Sequence, residues 1–419
     1  MKSWTIEDLK SHVHNFEKLN EHQRSILLEK MNSKHPPHSF EKDLQKRRNA
    51  LKNSKVAKNI LQNAHSQFPG FIKGEQLQCS PESLKGYGLV FTAGGEGERL
   101  RLSLLKKGVD PQSLNDFTKA TYPLHDFFDQ YGSLHINLKV VAHFCSKLNI
   151  SIPVIITTGP EGSLTERVIK QVLKKHHNFG LKDVLIVPQD ERLHFTSDEK
   201  IAFTLINDLP EPVTQPDETG GPLMKLKQKS GTMDLSALQW LNQKNCSKLI
   251  VVQATAIYDL NLLPMMAKAA KEHDCLGVGI LRTEFPSNDP FGTYVTLKTE
   301  TEKKTCIIEQ DIRNEKMRSL KDESGQYYLP FNTGFYALNC SLLENNELPD
   351  YATPPKEVLP ELDKSPKIGY AATDILPLAE KPVVLTVDPN MFAVIKTADD
   401  LIELSKAAKR YRLDTIVKE

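Results

Sequence analysis

Between Phe91 and Leu100 the chain reads FTAGGEGERL, with Gly94, Gly95 and Gly97 crowded between an apolar run and the pair Glu98 and Arg99. Glycines directly after a buried strand let backbone N–H groups approach an anion with no side chain between, and they allow the positive backbone angles that turn those groups inward. Arg99, just beyond, would offer phosphate a planar fork of donors. The spacing is not that of a P-loop, since no Gly-Lys-Ser/Thr follows, nor the Gly-x-Gly-x-x-Gly of a dinucleotide fold. On pattern alone a phosphate or nucleotide cradle and a plain strand-to-helix turn fit about equally well.

The loop must be held by what surrounds it. GLVFTA, IPVIITT, DVLIVPQ, KLIVVQATA and LGVGILR are continuously apolar rather than alternating, which predicts strands covered on both faces. Helical segments lie between them. The clearest is SLTERVIKQVLKKHH, with Ser163 and Glu166 spaced as a capping box, Leu164, Val168 and Val172 on one face and Gly180 beyond the end. Such alternation predicts a mainly parallel, doubly wound sheet whose ligands sit beyond the carboxyl ends of the strands. That rule points to Thr92 through Arg99, Thr157 to Gly159, and Gln189.

Residues 1 to about 80 show helical spacing and no strand signal. After about Thr293 the strands shorten: TYVTLK, TCIIEQ and YYLPFNTGFYAL, with a loop expected between the last two. ELPDYATPPKEVLPELDKSPK, rich in proline, predicts a boundary or lid. The tail reads as strand PVVLTV, a turn at Asp388 and Pro389, strand FAVIK and a helix from about Ala398.

Composition limits the partners. Lys plus Arg number 54 and Asp plus Glu 53 in 419 residues, so no overall field draws the chain to nucleic acid or an anionic membrane. The six cysteines are scattered and form no CxxC, which argues against a disulfide framework or zinc site and for a reducing compartment. No apolar run approaches the ~20 residues of a membrane span. A soluble cytoplasmic protein is expected.

AGGxGxRL followed by a lysine before an apolar turn, here Lys119 in FTKATYPL, resembles the nucleotidyltransferases that make UDP-sugars from UTP and a sugar 1-phosphate. Within that group the chain is most similar to the UDP-sugar pyrophosphorylases, with the UDP-N-acetylhexosamine and UDP-glucose pyrophosphorylases close behind. IPVIITTGPEGSLTERVIKQVL, NFGLKDVLIVPQDE, VTQPDETGGPL, VVQATA and FAVIKTADDL follow in the family's order from about Gly86 to the C-terminus. The resemblance implies a Rossmann-like, doubly wound mixed sheet of the GT-A-like kind. It places a helical region at 1–85, the catalytic domain at 86–345 and a small α+β region at 346–419 carrying Lys396. It further implies that Gly94, Gly95, Gly97, Gln189, Gly220 and Gly221 contact the nucleotide. Arg99, Lys119 and Lys396 would serve the phosphates, Gly292, Glu309 and Asn332 the sugar, and Mg²⁺ would be the cofactor.

Three departures from the family pattern bear on that expectation. The stretch from Arg99 to Lys119 is long, so Lys106 and Lys107 are rivals of Lys119. The uridine segment is reduced to DETGG. Where the family presents a metal-binding aspartate the chain has Ala254, with Asp259 and Asp374 as candidate substitutes. The expected activity is uridylyl transfer from UTP to a hexose 1-phosphate; the alternative is a weak or inactive homologue that binds a uridine nucleotide or UDP-sugar.

Overall fold

The computed structural model describes residues 3–95, 97–124, 131–229, 234–285, 291–355, 357 and 362–418. Glu96 of the glycine turn, Lys356 and residues 358–361 of the proline-rich segment lie outside the described residues. The chain forms two compact units: residues 1–62, 190–221 and 348–372 make the first, and residues 63–189, 222–347 and 373–419 the second.

The second unit is built on an eleven-stranded mixed sheet. Its strands are β1 (His65–Gln67), β2 (Phe71–Lys73), β3 (Tyr87–Thr92), β4 (Val154–Thr158), β5 (Val184–Pro188), β6 (Lys248–Gln253), β7 (Cys275–Arg282), β8 (Thr293–Lys298), β9 (Lys303–Ile308), β10 (Tyr328–Asn339) and β11 (Pro382–Val387). They run in the order β2-β11-β7-β10-β6-β3-β4-β5, with β8 joining β1, β9 and β10 at the side. β3 pairs in parallel with β4 and β6, and β4 with β5, while β10 runs antiparallel to its neighbours β6 and β7. β3 is buried from Tyr87 to Phe91 and β4 throughout, as continuous apolar runs require.

The path of the chain explains where a ligand can enter. From β3 it moves outward to β4 and β5, then returns to the other flank of β3 as β6. The carboxyl end of β3 is therefore a topological switch point, where an open sheet leaves a crevice. Register brings the loops out together: Thr92 lies beside both Thr157 and Gln253, and Thr158 beside Pro188. Helices α1 (Glu98–Lys106), α2 (Ser133–Leu148) and α3 (Leu164–Lys175) follow the first strands, and α4 (Asp400–Arg410) follows the closing segment.

Three local expectations differ from the structure. β1 and β2 lie within the stretch that carries no strand signal; each is three residues long, too short for a period to register, and forms by pairing with β8 and β11. The loop expected between β9 and β10 holds two helical turns, Gln310–Ile312 and Glu315–Ser319, the second capped by Asn314. Ser163 caps α3, yet the Glu166 carboxylate takes the Gly162 N–H at 2.7 Å instead of closing a box.

The first unit joins three stretches of chain. Helices Ile6–His12, Glu21–Lys34 and Pro37–Asn63 supply Leu9, Leu27, Met31 and Phe40, which pack with Trp4, Phe16, Leu193, Phe195 and Ile201. Arg192, buried, bridges Asp43 at 3.0 Å and Asp217.

Candidate active site

The glycine turn leaves β3 beside the chain that leaves β4 and β5. Ala93 N–H donates to Thr157 O at 2.8 Å and Gln189 N–H to Thr158 O at 3.3 Å, so these loops are tied together just past the strand ends. A Cβ at Gly94 would fall 2.9 Å from Gln189 Nε2, whereas one at Gly95 would meet nothing within 4 Å. Gly94 thus admits the amide, and Gly95 faces open space. Gln189 is 7 % exposed, and among the described residues nothing hydrogen-bonds its side-chain amide. The Thr157 hydroxyl is likewise buried with no partner among them. Buried polar groups are normally satisfied, so the Thr157 hydroxyl is an exception at this strand edge.

Gly97 has φ +83° and begins α1. A Cβ there would lie 2.8 Å from Lys119 Cβ and 3.3 Å from the Lys119 backbone, so only glycine allows both the left-handed angle and the approach of Lys119. Lys106 ends α1, about 13 Å along the helix at 1.5 Å per residue, and Lys107 pairs with Asp399 at 2.5 Å. Of the three lysines after the turn, Lys119 is the one packed against it.

Burial pushes the half-buried Lys119 ammonium down to about 8, with Lys396 and Arg99 adding to the fall and Asp400 opposing it. Three cations remote in sequence therefore share one field. Asp400 also shapes the closing segment: its Oδ2 accepts from the N–H groups of Lys396 at 2.8 Å and Thr397 at 2.6 Å, and from the Thr397 hydroxyl at 3.1 Å. Ala398 N–H then donates to Ser103 Oγ of α1 at 3.0 Å, latching that segment to the helix begun by the glycine turn. Lys396 Nζ sits 3.9 Å from the ring centroid of Phe291, the residue before Gly292.

A second polar group forms around Gly292. A Cβ there would meet both Glu309 carboxylate oxygens at 3.2 Å. Asn332 Oδ1 accepts from the Tyr294 hydroxyl at 2.8 Å and Gly334 N–H at 2.9 Å, and its Nδ2 donates to the Tyr336 hydroxyl at 3.2 Å, leaving one amide N–H to spare. Burial raises Glu309, with Asp311 adding and Arg313 opposing. Asp374 joins this group: burial and the Glu309 charge push it up to about 6. No motif marks Asp374 in the sequence; only the fold brings it to Glu309.

Gly220 and Gly221 belong to the first unit, and their missing side chains are accounted for by the chain itself. A Cβ at Gly220 would strike the Tyr370 and Ala371 backbone at 2.8 Å, and one at Gly221 would strike Asp217 Cβ at 2.4 Å.

Metal donors are sparse. Ala254 is fully buried in the main core, and its carbonyl accepts from Ser133 Oγ at 2.7 Å. Asp259 accepts from Asn261 N–H at 2.8 Å, and its charge acts on Cys79 and Tyr411 rather than Lys119. Among the described residues no three His, Cys, Asp or Glu side chains group to hold a metal ion.

The mixed, doubly wound sheet of the second unit has the fold of the nucleotidyltransferase-like pyrophosphorylases. Solved structures with this fold include the UDP-N-acetylglucosamine pyrophosphorylase of Trypanosoma brucei in complex with an inhibitor (TM-score 0.68, 13% identity, 93% of this chain and 80% of that one). An Entamoeba histolytica chain described as a UDP-N-acetylglucosamine pyrophosphorylase has TM-score 0.63 and 17% identity over 83% of this chain and 88% of that one. A UDP-glucose pyrophosphorylase variant of Leishmania major in complex with UDP-glucose has TM-score 0.59 and 15% identity over 92% and 79%. The sequence matches no protein-family model and no curated protein. No helix among the described residues is long and apolar enough to cross a membrane.

Proposed function

We propose that this protein is a uridylyltransferase that forms a UDP-sugar and pyrophosphate from UTP and a hexose 1-phosphate. The observation that carries the reading is the packing of Lys119 against Gly97 of the glycine turn, where Lys396 and Arg99 act on its charge. In this reaction a sugar-phosphate oxygen attacks the α-phosphorus of UTP in line, and the bond to the departing pyrophosphate breaks. One anion must approach another, so fixed cations lower the barrier most. Gly95 leaves room for the nucleotide backbone, the Gln189 amide offers uracil both donor and acceptor, and Glu309 and Asn332 accept and donate to sugar hydroxyls.

Magnesium is proposed to arrive with the triphosphate. It keeps much of its water and is commonly held by substrate phosphates with one or two carboxylates. Since the described residues supply no cage, this chain's part is the cationic field.

Purified protein given UTP, Mg²⁺ and a panel of hexose 1-phosphates is expected to release pyrophosphate. Arg99→Ala, Lys119→Ala and Lys396→Ala should each slow it by about 10²–10³-fold. Silence across the panel would remove the proposal. The buried methyl of Ala254 favours a second reading, nucleotide binding with little turnover. Tight UTP binding by calorimetry without exchange of labelled pyrophosphate would select it.

A further inference from the structure

Lys396 rests on an aromatic face, and that face is anchored in the sheet. Its Nζ lies 3.9 Å from the Phe291 centroid, the shortest contact of this kind among the described residues. Phe291 stacks on Phe331 with centroids 4.8 Å apart and planes 22° from parallel. Phe331 sits in β10, paired with Ile280 of β7 and Thr293 of β8. Beyond it the Arg282 guanidinium lies 5.0 Å from the Phe331 ring and 4.7 Å from Phe285, and Arg313 lies 5.1 Å from Phe285. The Phe291 ring is therefore held from behind and cannot swing without disturbing the stack.

A lysine on a four-carbon stem needs a seat before its charge acts at one place. An aromatic face attracts the cation through the ring quadrupole and contributes no counter-charge. We propose that Phe291 is the positioning residue of Lys396, its backed ring fixing the ammonium where the reacting phosphates pass. This rests on the uridylyl-transfer reading.

Two measurements on the full chain test it, one needing no turnover. In protein with ¹³C-methylated lysines, the Lys396 resonance, identified by its loss in Lys396→Arg, is expected upfield of solvent-exposed lysines through the ring current. Phe291→Leu should return it to their position; a resonance already among them in the unsubstituted protein, or unmoved by Phe291→Leu, overturns the seat. In kinetics, Phe291→Leu should lower kcat about 10- to 30-fold with KM for UTP within about twofold, and Phe291→Tyr should stay within about threefold of the unsubstituted enzyme. In a Lys396→Ala background Phe291→Leu should cost nothing further. Full activity in Phe291→Leu, equal impairment in Phe291→Tyr, or an additive loss in the Lys396→Ala background overturns the proposal. Absence of turnover in the unsubstituted protein sinks the uridylyl-transfer reading instead, and the resonance still decides the seat.

Discussion

Lys119 loses hydration on burial and faces two further cations, so its proton leaves near pH 8. The value of kcat/KM for UTP should fall about tenfold per pH unit above that point, because it reports the substrate-free enzyme. Stability carries the opposite sign. Below about 8 folded and unfolded chains both hold the proton, and the folded state bears the whole cost of burying the charge. Between about 8 and the ordinary lysine value of ~10.4 the unfolded chain binds more protons, so stability rises with pH. Lys119→Met should therefore raise the thermal midpoint at pH 7 and flatten that rise, while lowering kcat by about 10²–10³-fold. A midpoint that falls would show the lysine to be structurally stabilising. Gln189, 7 % exposed, follows the same logic, since its amide has no hydrogen-bond partner among the described residues. Gln189→Leu should leave the midpoint unchanged or higher, yet reduce kcat/KM for UTP about 10- to 100-fold and narrow the preference over CTP; competition between the two nucleotides measures this.

Among the elements, the closing segment and α4 act through Asp400. That carboxylate gathers three donors from Lys396 and Thr397 and is the charge that holds Lys119 up. Asp400→Asn keeps an acceptor for the N–H groups and removes the charge, so Lys119 should titrate at lower pH. The alkaline limb of kcat/KM is expected to move toward acid; a limb that stays in place would separate Asp400 from Lys119. Much of this scale was legible in advance. GLVFTA and IPVIITT show their burial as unbroken apolar runs, and the switch point follows once they are strands beside a glycine turn. HSQ and FIK could not be read, because three residues carry no period and their pairing partners lie far along the chain. Asp374 enters the sequence reading as a candidate substitute for the metal aspartate, while its nearness to Glu309 exists in three dimensions alone. Gly220 and Gly221 have a packing reason that the sequence does not show: a Cβ at Gly220 would strike the Tyr370 and Ala371 backbone, and one at Gly221 the Asp217 side chain.

For the molecule as a whole, the first unit exists only as a meeting of three separated stretches. Arg192 is buried between Asp43, from helix Pro37–Asn63, and Asp217, from the stretch that ends in Gly220 and Gly221. Burial raises Asp43 in spite of Arg192, so the ion pairs are costly to form and costlier to break. Asp43→Ala should destabilise this unit by about 3–5 kcal/mol, because it leaves a buried guanidinium short of a partner. Hydrogen exchange would report the loss at residues 190–221 and 348–372. Removal of residues 1–62 should go further, since it strips Trp4, Leu27 and Phe40 from Leu193, Phe195 and Ile201. The truncated chain is expected to lose exchange protection at Leu193 through Ile201. Full protection at Leu193 and Ile201 in that chain would mean that 190–221 and 348–372 fold without the helices that now cover them.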